Sequence, residues 1–548
     1  MGTGSRLRVL VSCALMISVG FGPAVAHADD SGTVTVVGTS DVVDSNLVAA
    51  VLQPGFEAAY PQYKLKYVSQ GTGPAIATAE SGAASALLVH AASLENQFVA
   101  AGYSAEQYGR ATFYGDYVLL GPQSDPAGVL SGARHDVAAA FERIAAAGAA
   151  GHANFVSRGG TPGTTVEEHA IWALTQGVTT CDVDPANGGG TSPSTDAGPC
   201  PSSISFPSWY HVTGLSQGPN VENADVCNYD NSNCYVLTDR GTFDYLVATG
   251  AVSQLTIVTR DNAAKSRGGS SLLVNSFHLY AVNPAKFTGQ PNVHINLTGA
   301  EAFLDWVTSP AGQDAVGAFM AGSGDPPFRP DAAPLVAAHH RHTVRAGRAL
   351  VVHGAVSNRV PGTPPLAGIE VDLMGARKGH KPHVVAATTT HSRGTYTVRY
   401  RPHRTLRYRI ATPAVQQVEI PCRHRNPKNR PSLCPKFGDE LAATTVRLGK
   451  VPVRGRVTLA QPTERGGKVL LAGALRPAVT GKRARLVVQA KTSGHRFHRV
   501  GVRPLDPGAR RFAVKVALRP GRAWTVRVTY TNPGLIVRTT SRHRTLVV

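Results

Sequence analysis

Beyond its first thirty residues the chain contains no apolar run of the roughly 18 to 20 residues that a membrane-spanning helix requires. That shortage excludes an integral helical membrane protein once the leader is set aside. Short Cys-x-x-Cys spacings are missing as well, so no thiolate zinc site is indicated and no metal is assigned. No Gly-x-Ser-x-Gly elbow or Cys/His dyad stands out; no catalytic residue or cofactor is assigned, and an enzyme is not expected. Acidic residues are few, 35 Asp and Glu against 55 Lys and Arg, and the shortage is local. Residues 339–548 hold 7 acidic side chains beside 41 basic ones, whereas the preceding residues carry 28 against 14. Two functions, or two environments, are implied.

What is present begins with Arg6 and Arg8, an apolar stretch over residues 9–21, and small residues ending Ala26-His27-Ala28. This is the layout of a secretory signal and predicts export with cleavage after Ala28. Leu10-Val11-Ser12-Cys13 also has lipobox-like residues, which leaves a lipid-anchored alternative. Removing the signal removes Cys13 and leaves three local cysteine pairs: Cys181 with Cys200, Cys227 with Cys234, and Cys422 with Cys434. An even number in an exported chain predicts three disulfides, paired here by proximity.

At 548 residues the chain is too long for one ordinary core. Thr33-Val34-Thr35-Val36-Val37 reads as a strand stopped by Gly38-Thr39-Ser40-Asp41, after which Leu47, Val51, Leu52 and Phe56 recur at helical spacing. The pattern repeats through residues 64–68, Gly71-Thr72-Gly73 and a helix over 75–81, then a buried strand over 86–89. Such alternation predicts an α/β domain with largely parallel sheets. Residues 117–120 and 255–258 read as further strands, the first crossing into a second lobe. Residues 177–208, rich in Gly, Ser, Pro and Asp, read as a disulfide-tied insertion. The expected organisation is a signal at 1–28, a binding domain at 29–333 and a linker at 334–346. Two all-β sandwich modules of immunoglobulin-like type follow at 347–450 and 451–548, on the evidence of similar segments around Gly347 and Gly467.

Binding a small oxyanion in water needs donors that converge on one point, and helix N-termini supply free N–H groups at a positive dipole end. Gly38-Thr39-Ser40 and Gly71-Thr72-Gly73 each follow a strand and precede a helix, so each offers amides plus a hydroxyl. Either alone reads equally as an N-cap. A third loop, Ser157-Arg158-Gly159-Gly160-Thr161-Pro162-Gly163-Thr164, adds an Arg that can fork two oxygens, with Ser157 and Thr164 as further donors. His90, closing a strand, is a candidate donor or a packed residue. Asp239-Arg240 is a candidate ligand pair or a brace for the cleft.

These strings, with Leu88-Val89-His90-Ala91, Trp209-Tyr210, Tyr235-Val236-Leu237-Thr238-Asp239-Arg240-Gly241-Thr242 and Ala281-Val282-Asn283-Pro284, resemble the tungstate-binding members of the periplasmic solute-binding superfamily. The resemblance covers roughly residues 33–325, including a late helix through Phe303 and Trp306. It implies a type II two-lobed fold whose cleft holds a tetrahedral oxyanion between Thr39, Ser40, Gly71, Thr72 and Gly73 on one side and Ser157, Arg158 and Thr164 on the other. It also implies delivery to an ABC transporter permease. The chain departs from the family where Gly160-Thr161-Pro162 replaces a more acidic run, since Pro162 removes a hydroxyl and an N–H. Because the loop from Ser157 to Thr165 has no carboxylate, the fully ionised anions are favoured, tungstate first, then molybdate and sulfate, with phosphate, which keeps a proton near neutral pH, last. The basic C-terminal half points to anionic wall polymers rather than nucleic acid, and an adhesive surface protein is the alternative reading.

Overall fold

The computed structural model describes residues 32–183, 190–195, 205–320, 322, 324–363, 365–418, 438–479, 483–532 and 538–548. The expected signal segment with its expected cleavage site, Cys200, Cys422 and Cys434 lie outside them.

Strand β1 (Thr33–Thr39) is parallel to β2 (Lys64–Gln70) and to β3 (Ala86–Val89). Val34, Val36 and Val37 supply the stiff branched side chains that suit a pleated, buried surface, and all four residues of β3 are buried, as a parallel strand covered on both faces requires. Strand β4 (Gly109–Pro122) is long enough to serve two lobes. After it come β5 (Asn154–Ser157), β6 (Tyr210–Val212), β7 (Cys234–Asp239), β8 (Leu255–Thr259) and the returning β9 (Val274–Ala281). The sheet runs β2-β1-β3-β9-β4-β7-β5-β6, with β8 also on β4. Lobes change between Asp116, which faces Val274 of β9, and Tyr117, which faces Asp239 of β7.

Each lobe has its own core. Phe56, Phe303 and Trp306 pack with Val34 and Val36 in the first, and Phe141, Phe155 and Trp172 pack with Tyr235 in the second. The late helix is two helices, Leu297–Thr308 and Pro310–Ala318. Pro310 cannot continue the first, and Ser309 Oγ caps the second by accepting from Gly312 N–H at 3.1 Å.

The crossover is braced electrostatically. Asp116 takes Arg240 Nε at 2.8 Å, Arg260 Nη2 at 2.9 Å and Arg329 Nη1 at 2.8 Å. Arg240 is therefore a brace, while Asp239 caps the following helix, accepting from Thr242 N–H at 2.8 Å. Cys227 and Cys234 form a disulfide; Cys181 is disulfide-bonded and lies in a short ribbon, Thr180–Asp182 against Thr191–Pro193, within the expected insertion.

The C-terminal part forms two pairs of antiparallel sheets, one through Leu350–Ser357 and Glu370–Ala376, the other through Lys468–Arg476 and Arg485–Thr492. Strict alternation sends basic side chains outward: in Arg511–Val516, Arg511 and Lys515 are exposed while Phe512, Val514 and Val516 are buried. The stretch expected as a linker contains the strand Leu335–His340, antiparallel to Leu350–Ser357. It has little periodicity because only Val336 on it is buried. The first module also continues the sheet of the two lobes: Gly438–Leu441 pairs with β4 at Gly109 and Arg110, and Ala111 packs in the module core.

Candidate functional site

Four strand-to-helix connections meet where the lobes face each other. From the first lobe come β1 into the short helix α1 (Asp41–Asp44), and β2 into α2 (Thr72–Glu80). From the second come β5 into α3 (Gly163–Trp172) and β6 into α4 (Gln217–Val226). The lobes are in contact. Gly73 N–H donates to Thr161 O at 3.0 Å, and Gly218 N–H donates to Asp44 Oδ2 at 2.9 Å. A methyl group on Gly73 would lie 2.1 Å from Thr161 Oγ1, and one on Gly163 would lie 2.4 Å from the His90 ring, so both positions admit only glycine at this approach.

Around this meeting point Thr39 Oγ1, Ser40 Oγ and Thr72 Oγ1 are enclosed and have no hydrogen-bond partner among the described residues. Buried hydroxyls are ordinarily satisfied, so these three leave donors free for a polar ligand. Arg158, itself buried, approaches from the other lobe; Nη1 donates to Gln217 Oε1 at 2.7 Å and Nε to Leu215 O at 3.2 Å. Burial pulls the Arg158 pKa below its ordinary value, against the opposing pull of Asp41, Asp44 and Asp239.

Each of the other expected ligands has a protein neighbour in this arrangement. Gly73 spends its N–H on Thr161, and Gly71, extended at the start of α2, packs against Pro162. Thr164 Oγ1 donates to Gln217 Oε1 at 3.0 Å. Ser157 Oγ accepts from Gly159 N–H at 3.2 Å and neighbours Glu168 and Tyr210. His90 Nδ1 meets Tyr117 OH at 2.7 Å and Nε2 lies 3.0 Å from Asp41 Oδ2, so both ring nitrogens face protein groups. Helix α1 has only four residues and contributes little dipole; side chains, rather than amides, dominate that loop.

Two residues that bear on the site carry no mark in the motif reading. Gln217 is its hub: Oε1 accepts from Arg158 and Thr164, and Nε2 donates to Thr238 Oγ1 at 2.5 Å. Its signal is the fourth strand-loop-helix turn, Thr213-Gly214 into Ser216-Gln217-Gly218-Pro219. Asp41 immediately follows Thr39-Ser40 and is fully buried. Its Oδ2 lies 3.0 Å from His90 Nε2 in an ion-pair contact, while Oδ1 has no hydrogen-bond partner among the described residues. Burial opposes its ionisation, but His90 and Arg158 outweigh that and hold its carboxyl below the usual range. A carboxylate thus does reach the site, from the first lobe rather than from the Arg158 loop.

Behind His90 a cavity of about 370 Å³ separates the lobes, lined by Tyr117, Glu167, Ser276 and His278 among others. Burial pushes Glu167 up to about 8, and the next residue, Glu168, up to about 7 despite hydrogen bonds from Tyr210 and Trp172.

The family described as PBP superfamily domain matches residues 23–311. A protein of Haloferax volcanii named as an ABC transporter anion-binding protein is 34% identical over 298 residues, covering 54% of this chain and 72% of that protein. The tungstate-binding protein TupA of Peptoclostridium acidaminophilum is 29% identical over 308 residues, covering 55% of this chain and 87% of TupA. Among solved structures, the tungstate-binding protein TupA from Desulfovibrio alaskensis G20 aligns with 29% identity and a TM-score of 0.38, over 55% of this chain and 98% of that one. A tungstate ABC transporter protein from Geobacter sulfurreducens aligns with 29% identity and a TM-score of 0.37, over 52% and 98%.

Proposed function

This chain belongs to the PBP superfamily, and from that premise we propose that it is an extracytoplasmic binding protein that captures a small tetrahedral oxyanion for an ABC-type permease. The observation that carries this reading is the group of enclosed, unpartnered hydroxyls of Thr39, Ser40 and Thr72 in the loops around Asp41, on which the charge of Arg158 acts from the other lobe. Hydroxyls and a guanidinium converging from two lobes suit a tetrahedron of oxygens, because each lobe then holds a different face of the anion and binding draws the lobes together. Tungstate is the first candidate, since relatives carry that name, followed by molybdate, sulfate and phosphate. Capture without catalysis fits relatives that are binding proteins. The test is calorimetric titration of the mature chain with each of the four anions; the absence of heat from all of them would sink the proposal.

The C-terminal modules are proposed to hold the receptor near its permease by attraction to anionic wall polymers. Their outward-facing basic residues, spread over strands such as Arg511–Val516 rather than gathered in a pocket, support this.

A further inference from the structure

The enclosed, unpartnered atoms at the cleft are of two kinds. Thr39, Ser40 and Thr72 offer hydroxyl donors, but Asp41 offers a carboxylate oxygen, Oδ1, that can only accept when ionised, its Oδ2 being paired with His90 Nε2 at 3.0 Å. A fully ionised oxyanion is also acceptor-only. It satisfies the hydroxyls and leaves Asp41 facing a like charge in a site from which water is largely withdrawn. Two such groups do not both stay ionised at close range; one takes a proton.

We propose that capture is proton-coupled through Asp41: in the complex, one proton lies between the anion and the Asp41 carboxylate. A singly protonated oxyanion such as hydrogen phosphate brings that proton with it. Tungstate or molybdate brings none, so one proton is taken up from solvent for each anion bound, and its partner base is left in the buffer. This inference rests on the oxyanion reading above and adds to it that Asp41 sets the order of preference within the series.

The surroundings of Asp41 are consistent with a carboxyl whose proton is decided by what sits beside it. His90 Nε2 is 3.0 Å from Oδ2, at the end of β3, and Arg158 acts on it from the end of β5. Asp44 on α1 and Asp239 ahead of Arg240 act with the opposite sign, and Tyr67 of β2 and Tyr117 of β4 feel its charge. An arriving dianion claims the positive charge of Arg158 and so withdraws support from the ionised carboxylate. His90 also lines the cavity of about 370 Å³ between the lobes, which gives Asp41 a route for proton exchange through the imidazole. Hydroxyls of Thr39 and Ser40 are the nearest donors in sequence, yet neither bonds Asp41.

The experiment is calorimetry on the full mature chain near neutral pH, repeated in buffers of different ionisation enthalpy, with sodium tungstate and with inorganic phosphate as probes. The slope of heat against buffer enthalpy should give about one proton taken up per tungstate and close to none per hydrogen phosphate. Tungstate affinity should fall by about tenfold per pH unit on the alkaline side, because each proton is linked to one binding event. Asp41→Asn, which keeps the shape but not the charge, should abolish both the uptake and the slope, and should favour tungstate over phosphate. Tungstate binding by the native chain without proton uptake overturns the proposal while leaving the oxyanion reading intact, and this measurement does not depend on any variant folding. Unchanged uptake in Asp41→Asn also overturns it. No heat from either anion overturns both readings.

Discussion

Asp44 accepts a hydrogen bond from the backbone N–H of Gly218 at 2.9 Å, joining the short helix of the first lobe to the N-terminus of a helix in the second. A carboxylate at that end also meets the positive pole of the Gln217–Val226 helix. Asp44→Ala should weaken lobe closure and lower anion affinity roughly five- to thirtyfold, the range of about 1 to 2 kcal/mol for such a bond. Titration calorimetry reads the affinity, and small-angle scattering reads the loss of compactness at fixed anion concentration. Unchanged values in both would make the contact incidental.

Arg158 is held by Gln217 and the Leu215 carbonyl, so its orientation is set before an anion arrives. Arg158→Ala should cost roughly 1.5 to 3 kcal/mol, or about ten- to hundredfold in affinity. Lys in its place should recover little, because the planar fork is lost.

Gln217→Leu tests the hub itself. The substitution leaves Arg158, Thr164 and Thr238 without their shared partner and should lower affinity severalfold without removing a charge. Gln217→Glu should pair Arg158 even more strongly and compete with the anion for it. Equal affinities in wild type and both variants would dismiss the positioning role.

Glu167 gives a prediction in pH. Its Oε1 is enclosed and unpartnered although the residue as a whole is only partly buried, and burial raises its carboxyl to about 8. The folded state keeps a proton that the unfolded chain releases near about 4.3. The contribution to stability is therefore complete below that value and is lost as pH rises through about 8, at up to roughly 1.4 kcal/mol per unit. Glu167→Gln should flatten this decline, so that thermal melting gives a variant no more stable than the native chain at about pH 5 and more stable at about pH 8. His169, held down to about 4 by burial, works oppositely below its ordinary value and should be unaffected by the change.

The C-terminal modules should sediment with anionic wall material in low salt and release it as the Debye length falls from about 10 Å at 0.1 M to about 3 Å at 1 M. Removing them should leave anion affinity intact, since among the described residues none of the cleft comes from them. It should nevertheless lower the receptor's melting temperature, because β4 loses its pairing with Gly438–Leu441 and Ala111 loses its packing partners.

The order of strands and helices was legible from the sequence because apolar periodicity reports burial directly. Val34, Val36 and Val37 announce a strand, and the alternation of Phe512, Val514 and Val516 with Arg511 and Lys515 announces a half-exposed one. The turn chemistry of Gly38-Thr39-Ser40, Gly71-Thr72-Gly73 and the Arg158 loop likewise located three of the four connections that meet at the cleft. What each side chain does there was not legible. Thr39, Ser40 and Thr72 keep free hydroxyls while Thr164 gives its own to Gln217, and His90 turns to Asp41 and Tyr117. Chain position alone cannot separate these cases, because a hydroxyl's partner is chosen by the residue that folding brings beside it, as Gln217 of a neighbouring loop is brought to 3.0 Å from Thr164. Asp41 is the clearest instance: in the sequence it is only the last residue of the turn Gly38-Thr39-Ser40-Asp41, and only closure of β1, β3 and β5 around it leaves a buried carboxylate between His90 and Arg158.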